Sequence, residues 1–264
     1  MANPQAKQAP GVNAEYLQMT AKLLGPTKNQ SYSLMRVQSG HQLLDVGCGI
    51  GADTTHLARL VGAEGRVVGV DFDPQMVQEA RRAAVKQGVS DWTSHETADA
   101  TALPLKADSF DACRSERLLQ HLAQPARALE EMVRVTKSGG WIVILDTDWG
   151  TVSIDSTERE IERQLARFLA DSIVANGYSG RQLYRLYRGA NLEEISLTLL
   201  PLLATDYPLL RALACLDQVE ERALRAGVLS TPDIERWRKS LESADAKRAF
   251  FASVTMILIA GKKP

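Results

Sequence analysis

Short β-rich runs alternate with helical stretches of about ten or more residues between positions 41 and 150, and this rhythm restricts the fold more than any other feature. HQLLDVG, RVVGVD, TSHETAD, FDACRSE and WIVILDTD read as strands, and helices are expected over residues 53–61, 74–87 and 124–136. Strands separated by helices are joined by crossovers, so they pair in parallel and are covered on both faces: an α/β fold. Punctuation agrees. Asp73-Pro74 is an N-cap followed by proline at the first helical position, and Ser138-Gly139-Gly140 is expected to end a helix before the next strand.

Outside that core the alternation loosens. Residues 1–13 are polar with Pro and Gly and are expected to fray, and two helices follow, AEYLQMTAKLLG and TKNQSYSLMRVQ. Residues 156–176 and 179–188 read as helices, EEISLTLL as a strand, 206–246 as a helical insert, and FFASVTMILIA as the final strand. No repeat and no Pro/Gly/Ser-rich linker interrupts the chain. The expectation is one domain over 1–264: N-terminal helices over 1–40, a ligand-binding core over 41–150, and a C-terminal part with a helical cap over about 206–246 and a last strand at 250–260.

Composition narrows the partners. With 264 residues, 45% of them hydrophobic, the chain is long enough for a proper core. A net charge of −1 gives no general attraction to nucleic acid or to an anionic membrane. The longest apolar stretch, FFASVTMILIAG, is too short to span a bilayer, and no signal-peptide core opens the sequence. Cys48, Cys113 and Cys215 are odd in number and widely spaced, which fits buried thiols in a reducing compartment. A cytoplasmic protein, monomer or homodimer, is expected.

The stretch LLDVGCGIGADTTHLA places Gly47, Gly49 and Gly51 between the first strand and the first helix. In an open parallel sheet ligands sit beyond the carboxyl ends of the strands, and glycine there admits positive φ and close approach of a ligand to the backbone. The spacing alone satisfies a nicotinamide or flavin fingerprint, Gly47-x-Gly49-x-x-Ala52, and Asp71 at the end of the second strand suits a ribose hydroxyl in either class. Asp45 breaks the tie. A carboxylate two residues before the first glycine is a poor neighbour for pyrophosphate and a good one for the ammonium of an amino-acid-like ligand. Asp99 closes the third strand and is placed to meet the amine of an adenine.

Four motifs in this order, LLDVGCGIG, VVGVDFDPQMVQEAR, ADATALPLKADSFDAC and VTKSGGWIVILD, resemble class I S-adenosylmethionine-dependent methyltransferases, most closely the ubiquinone/menaquinone-biosynthesis-like branch of small-molecule enzymes. The resemblance covers about residues 42–148. It implies a Rossmann-like, seven-stranded, mostly parallel sheet whose last strand runs antiparallel between the fifth and sixth. It implies S-adenosylmethionine as cofactor: Asp45, Gly47 and Gly49 at the methionine end, with Asp45 near the amino group, and Asp71 on the ribose. Phe72 or Met76 would pack on the adenine, Asp99 and Ala100 would meet its amine edge, and Ser115 would lie near the sulfonium.

The acceptor side falls after the fourth and fifth strands. SERLLQHLAQP offers Glu116, Arg117, Gln120 and His121, and DTDWG offers Asp146, Asp148 and Trp149. If the acceptor is a hydroxyl, His121 is the first candidate base and Asp146 its orienting partner. Relatives in the resembled branch often carry a histidine pair where this chain has Gln120-His121, so positioning without a base is the alternative. DTDWG lacks companions for a hard cation, and a metal-independent reaction is expected. The insert around Tyr207, Leu209, Leu210 and Leu213 and the N-terminal Tyr16 and Tyr32 are expected to cap a pocket for a small, partly hydrophobic acceptor. Two other readings compete: a nucleic-acid methyltransferase, disfavoured because RSERLL lacks the motifs that grip a flipped base, and a nicotinamide oxidoreductase, disfavoured by Asp45 and Asp99. A non-catalytic protein that retains the cofactor fold is a third.

Overall fold

The structure is a computed structural model that describes residues 24–264. Helix α1 (Gly25–Leu34) precedes strand β1 (Gln42–Val46), followed by α2 (Ala52–Val61), β2 (Arg66–Asp71), α3 (Pro74–Lys86), β3 (Thr93–Thr97) and β4 (Phe110–Glu116). Then come α4 (Pro125–Val135), β5 (Thr136–Ile154), α5 (Arg159–Phe168), α6 (Ser179–Gly189) and β6 (Glu193–Ala204). Helices α7 (Tyr207–Leu213), α8 (Leu216–Arg225) and α9 (Thr231–Ala246) lead to β7 (Ala252–Lys262). The first N-terminal helix expected from the sequence, with Tyr16, lies outside the described residues.

All seven strands form one sheet in the order β3-β2-β1-β4-β5-β7-β6. β1 to β5 pair in parallel. β7 inserts antiparallel between β5 and β6, so the expected Rossmann-like topology is the one found. Alternate residues of the central strands feed two cores. Leu44, Val46, Val68, Val70, Cys113 and Ile144 point to the face covered by Leu129 and Met132 of α4 and Tyr187 of α6. Leu43, Val67, Ala112, Val143 and Leu145 point to the opposite face, covered by Met35 next to α1 and by Leu57, Ala58 and Val61 of α2. A third apolar cluster, with Ile161, Leu165, Val219, Trp237 and Leu241, packs α5, α8 and α9 into a cap.

Several boundaries differ from expectation for local reasons. Ser138-Gly139-Gly140 does not end α4. The helix stops at Val135, and the glycines lie inside β5, paired to the chain's end through Gly139 N–H to Lys263 O and Lys263 N–H to Gly140 O. β6 runs four residues past EEISLTLL, through Pro201; as an edge strand it tolerates a residue without an N–H. The helix expected over 156–176 gives way after Phe168 to a wider turn, Leu169–Ile173. The insert at 206–246 is three helices, broken at Cys215 (φ 49°) and Gly227 (φ 69°), and α9 restarts on a Ser230–Asp233 capping box.

Candidate functional site

The carboxyl ends of β1, β2 and β4 carry the turns that build one side of the site. After β1, the N–H groups of Gly47 and Cys48 both donate to Val70 O, so the turn is tied to β2. Gly47, Gly49 and Gly51 take φ of 77°, 52° and 75°, the left-handed conformations that glycine adopts without strain. Gly51 has a second reason: a Cβ there would stand 2.8 Å from that of Ala80, so this glycine lets α2 settle onto α3.

Asp71 is the clamp between the turns. Its Oδ2 accepts from Gly49 N–H at 2.8 Å and its Oδ1 from Asp73 N–H at 3.0 Å, leaving lone pairs for a ligand. Burial raises its pKa, opposed by the N–H groups of Asp73 and Gly49. Beyond it, Phe72 is 53% exposed at the sheet's end, and Met76 on α3 is half-buried. Asp99 caps the turn after β3, its Oδ1 accepting from the N–H (2.8 Å) and hydroxyl (2.7 Å) of Thr101, and Ala100 is buried behind it.

Asp45 lies on β1 directly opposite Arg114 of β4. The carboxylate is buried, with Oδ1 3.4 Å from Arg114 Nη1 and Oδ2 without a hydrogen-bond partner. Desolvation raises its pKa to about 7 against the pull of Arg114. Ser115, the next residue on β4, is also buried with an unpartnered Oγ. Two orphaned buried polar atoms at a glycine turn are costly in an empty fold and natural in one that meets a ligand there.

Arg114 organises a buried ionic cluster that sequence reasoning missed. It contacts Asp53 at 2.9 Å and Glu116 at 3.0 Å as well as Asp45, and Lys28 of α1 bridges the same two acids at 2.7 and 2.9 Å. The Tyr32 hydroxyl donates to Asp53, and its ring stacks on His56. Burial pushes the Asp53 carboxyl up, but Arg114 and Lys28 outweigh it and hold the carboxyl well below the usual range. Tyr32, expected at the acceptor pocket, is committed to this cluster instead. An arginine in the middle of the strand FDACRSE was the available signal, since a central strand buries a charge only with partners.

The other side of the site is different. An apolar cavity of about 130 Å³ opens beyond β4 and β5, walled by Leu202 of β6, Met256 of β7, Leu210 and Leu213 of α7 and Leu169. Arg117, Gln120, Thr147 and Trp149 line it from the strand ends. Of the expected cap residues, Leu210 and Leu213 reach it. Tyr207 is buried against Phe250 with its hydroxyl on Arg211, and Leu209 is partly exposed outside the cavity.

Asp146 corrects an expectation. It is fully buried, and its oxygens accept from the N–H groups of Leu119 (2.7 Å), Gln120 (3.3 Å) and Thr147 (2.9 Å) and from Ser179 Oγ (3.0 Å). The carboxylate shapes the turn Leu119–His121 from below and does not orient the imidazole. Burial lifts its pKa to about 6 despite those donors. His121 Nε2 instead meets the Gln120 amide nitrogen at 3.1 Å, and Trp149 Nε1 donates to Gln120 Oε1 at 2.8 Å. Burial, with Arg117 nearby, lowers the His121 pKa to about 4. Asp148 is held by Arg181 Nε at 2.6 Å and by Gly150 N–H. Among the described residues no group of three or more His, Cys, Asp or Glu side chains is placed to hold a metal ion, and no helix is long and apolar enough to cross a membrane.

Residues 44–144 match the family model of a methyltransferase domain. The chain is 35% identical over 232 residues to an uncharacterised 37.1 kDa protein in transposon Tn4556 of Streptomyces fradiae, a match covering 88% of this chain and 65% of that protein. It is 33% identical over 119 residues to the ubiquinone/menaquinone biosynthesis C-methyltransferase UbiE of a Marinomonas species, covering 45% of this chain and 47% of the relative. The matches thus span between about half and two thirds of these relatives' lengths. Among solved structures, the YcgJ protein of Bacillus subtilis superposes with a TM-score of 0.61 at 21% identity, over 91% of this chain and 97% of that one, a likeness of fold.

Proposed function

From a chain whose residues 44–144 match the family model of a methyltransferase domain, we propose an S-adenosylmethionine-dependent methyltransferase acting on a small molecule with a largely apolar body. The observation that carries this reading is the pair of orphaned buried acceptors, Asp45 Oδ2 and Ser115 Oγ, beside a glycine turn clamped by Asp71. Asp45 would take the ammonium of the cofactor's methionine end, with Gly47 and Gly49 allowing close approach. Asp71 would accept from the ribose hydroxyls, Phe72 and Met76 would pack on the adenine, and Asp99 with Ala100 would meet its amine edge. When bound, S-adenosylmethionine supplies a methyl group on a positively charged sulfur, and Ser115 lies at the end of β4 where that group would face the acceptor cavity.

The residues around the cavity support transfer by positioning rather than by a general base. His121 does not line the cavity, its imidazole is engaged with Gln120, and burial disfavours its protonated form. Asp146 spends its oxygens on the N–H groups of Leu119 and Thr147 and on the Ser179 hydroxyl. The chain's contribution is therefore to align a nucleophilic acceptor and exclude water from it. The likeness to a ubiquinone/menaquinone C-methyltransferase and to an ajmaline N-methyltransferase supports a small-molecule acceptor, from quinone-like or secondary metabolism on this reading, with the methyl going to oxygen, nitrogen or carbon. The test is incubation with methyl-labelled S-adenosylmethionine and pools of metabolites separated by polarity. Label should pass into the organic-extractable, uncharged fraction; transfer confined to nucleic acid would overturn the reading.

A further inference from the structure

Gln120 stands apart from everything else around the cavity. The residue is buried, only 5% exposed. Both of its backbone groups are engaged, the N–H on Asp146 Oδ2 and the carbonyl by Asn176 N–H at 2.8 Å. The orientation of the amide is decided by chemistry. An indole N–H only donates, so the atom facing Trp149 Nε1 is the amide oxygen, and the nitrogen must point toward His121. That nitrogen carries two N–H groups, of which the single acceptor His121 Nε2 takes one. The result is a rigid amide donor set in the wall of an apolar cavity. No carboxylate is among the described residues lining that cavity, and Arg117, which reaches it, is already paired with Glu116 (Nε to Oε1, 3.4 Å).

Resting on the methyltransferase reading, we propose that Gln120 orients the methyl acceptor, and that the acceptor is an apolar molecule presenting an uncharged oxygen (a hydroxyl, phenol, enol or carbonyl) rather than a protonated amine. An oxygen can accept from the amide N–H, fixing how the apolar body lies against Leu202, Leu210 and Met256. An ammonium offers only donors and would meet the donor face of Gln120. Gln120 in this account is a positioning residue. His121 and Trp149 act through it, each holding one end of its amide.

Binding of three bicyclic probes isolates this role: 2-naphthol, 2-methylnaphthalene and 2-naphthylmethylamine, titrated calorimetrically into the full chain saturated with S-adenosylhomocysteine. Gln120→Met keeps the length of the side chain and removes its donors. It should weaken 2-naphthol by about two- to tenfold, the worth of one hydrogen bond, and should not weaken 2-methylnaphthalene. Trp149→Phe frees the amide and should weaken 2-naphthol in the same direction by a smaller factor. The amine should bind the wild type more weakly than 2-naphthol. An equal loss for both neutral probes in Gln120→Met, no loss for 2-naphthol, an amine that binds as well as 2-naphthol, or no binding of 2-naphthol to the wild type would each overturn the proposal. Affinity for S-adenosylhomocysteine should be unchanged in both variants. If the wild type itself does not bind S-adenosylhomocysteine, it is the methyltransferase reading that fails, not the role of Gln120.

Discussion

The two sides of the candidate site solve opposite problems with the same sheet. On the side of β1, β2 and the start of α2, the polar groups are ionic. Two cations, Lys28 and Arg114, are buried among Asp45, Asp53 and Glu116, and Asp71 clamps two turns through backbone N–H groups. On the side of β5, β6, β7 and α7, the wall is mostly aliphatic, and among its few polar groups is an amide held between an indole and an imidazole. A charged, hydrogen-bonding ligand suits the first, because a buried acid without a partner costs more than any apolar contact returns. An apolar ligand of variable shape suits the second, because aliphatic walls discriminate by volume and by the few polar groups they contain. On the proposed reading, the contrast divides specificity in two: the cofactor would be read by charge, the acceptor by shape and one hydrogen bond.

The sharpest way to break the ionic half is to remove its organiser. Arg114→Leu leaves Asp45 without its cation and Asp53 and Glu116 with Lys28 as the one cation they share, and stability should fall by about 3–5 kcal/mol, read from urea unfolding. A loss below about 1 kcal/mol would show that the acids do not depend on Arg114. Next comes the clamp. Asp71→Ala removes charge-assisted hydrogen bonds, each worth about 1.5–3 kcal/mol, so S-adenosylhomocysteine should bind at least tenfold more weakly, with naphthol binding in the cavity unaffected. Unchanged cofactor affinity would take Asp71 out of the site.

These two regions were not equally legible in the sequence. The proposed cofactor side is built from contiguous stretches, and LLDVGCGIG with the acids at the ends of β1 and β2 and just after β3 placed Asp45, Asp71 and Asp99 at the sheet's carboxyl end, where the structure has them. Gly51 shows a local motif doing a second job, since its packing on Ala80 follows from tertiary contact and not from the turn. Arg114 and Lys28 stayed hidden because their meaning lies in pairing across long separations, Lys28 to Asp53 and Arg114 to Asp45. The acceptor side draws on β4, β5, β6, β7 and the cap, and no local pattern records that Leu202, Leu210 and Met256 meet there. His121 and Asp146 were brought to the same turn, as expected, but each has its own partners, which spacing alone does not reveal.

Smaller effects sharpen the apolar half. Because the fold holds His121 neutral with a pKa near 4 while the unfolded chain protonates it near 6.5, this group's contribution to stability is present above pH 6.5 and is lost as pH falls toward 4. The stability of the wild type relative to His121→Gln should therefore decline across that window, measured as the difference in unfolding free energy at each pH. A difference that does not change with pH would show an exposed, ordinary imidazole. Asp146 titrates in the opposite sense. Its raised value near 6 makes the folded state the better proton binder, so its contribution falls as pH rises from about 4 to 6. Smallest of all is the effect of His121→Ala on methyl transfer. Acting only by steadying Gln120, His121 should be worth less than tenfold in kcat, where a general base is typically worth 10²–10⁴-fold.

The account rests on the ionic side accepting the methionine end and ribose of S-adenosylmethionine and not a dinucleotide, whose pyrophosphate Asp45 would repel. Calorimetric titration of the wild type and of Asp71→Ala with S-adenosylhomocysteine and with NADH tests this most directly. Saturable heat from S-adenosylhomocysteine, weakened at least tenfold in the variant, and none from NADH is the predicted result; saturable binding of NADH with no response to S-adenosylhomocysteine would contradict it.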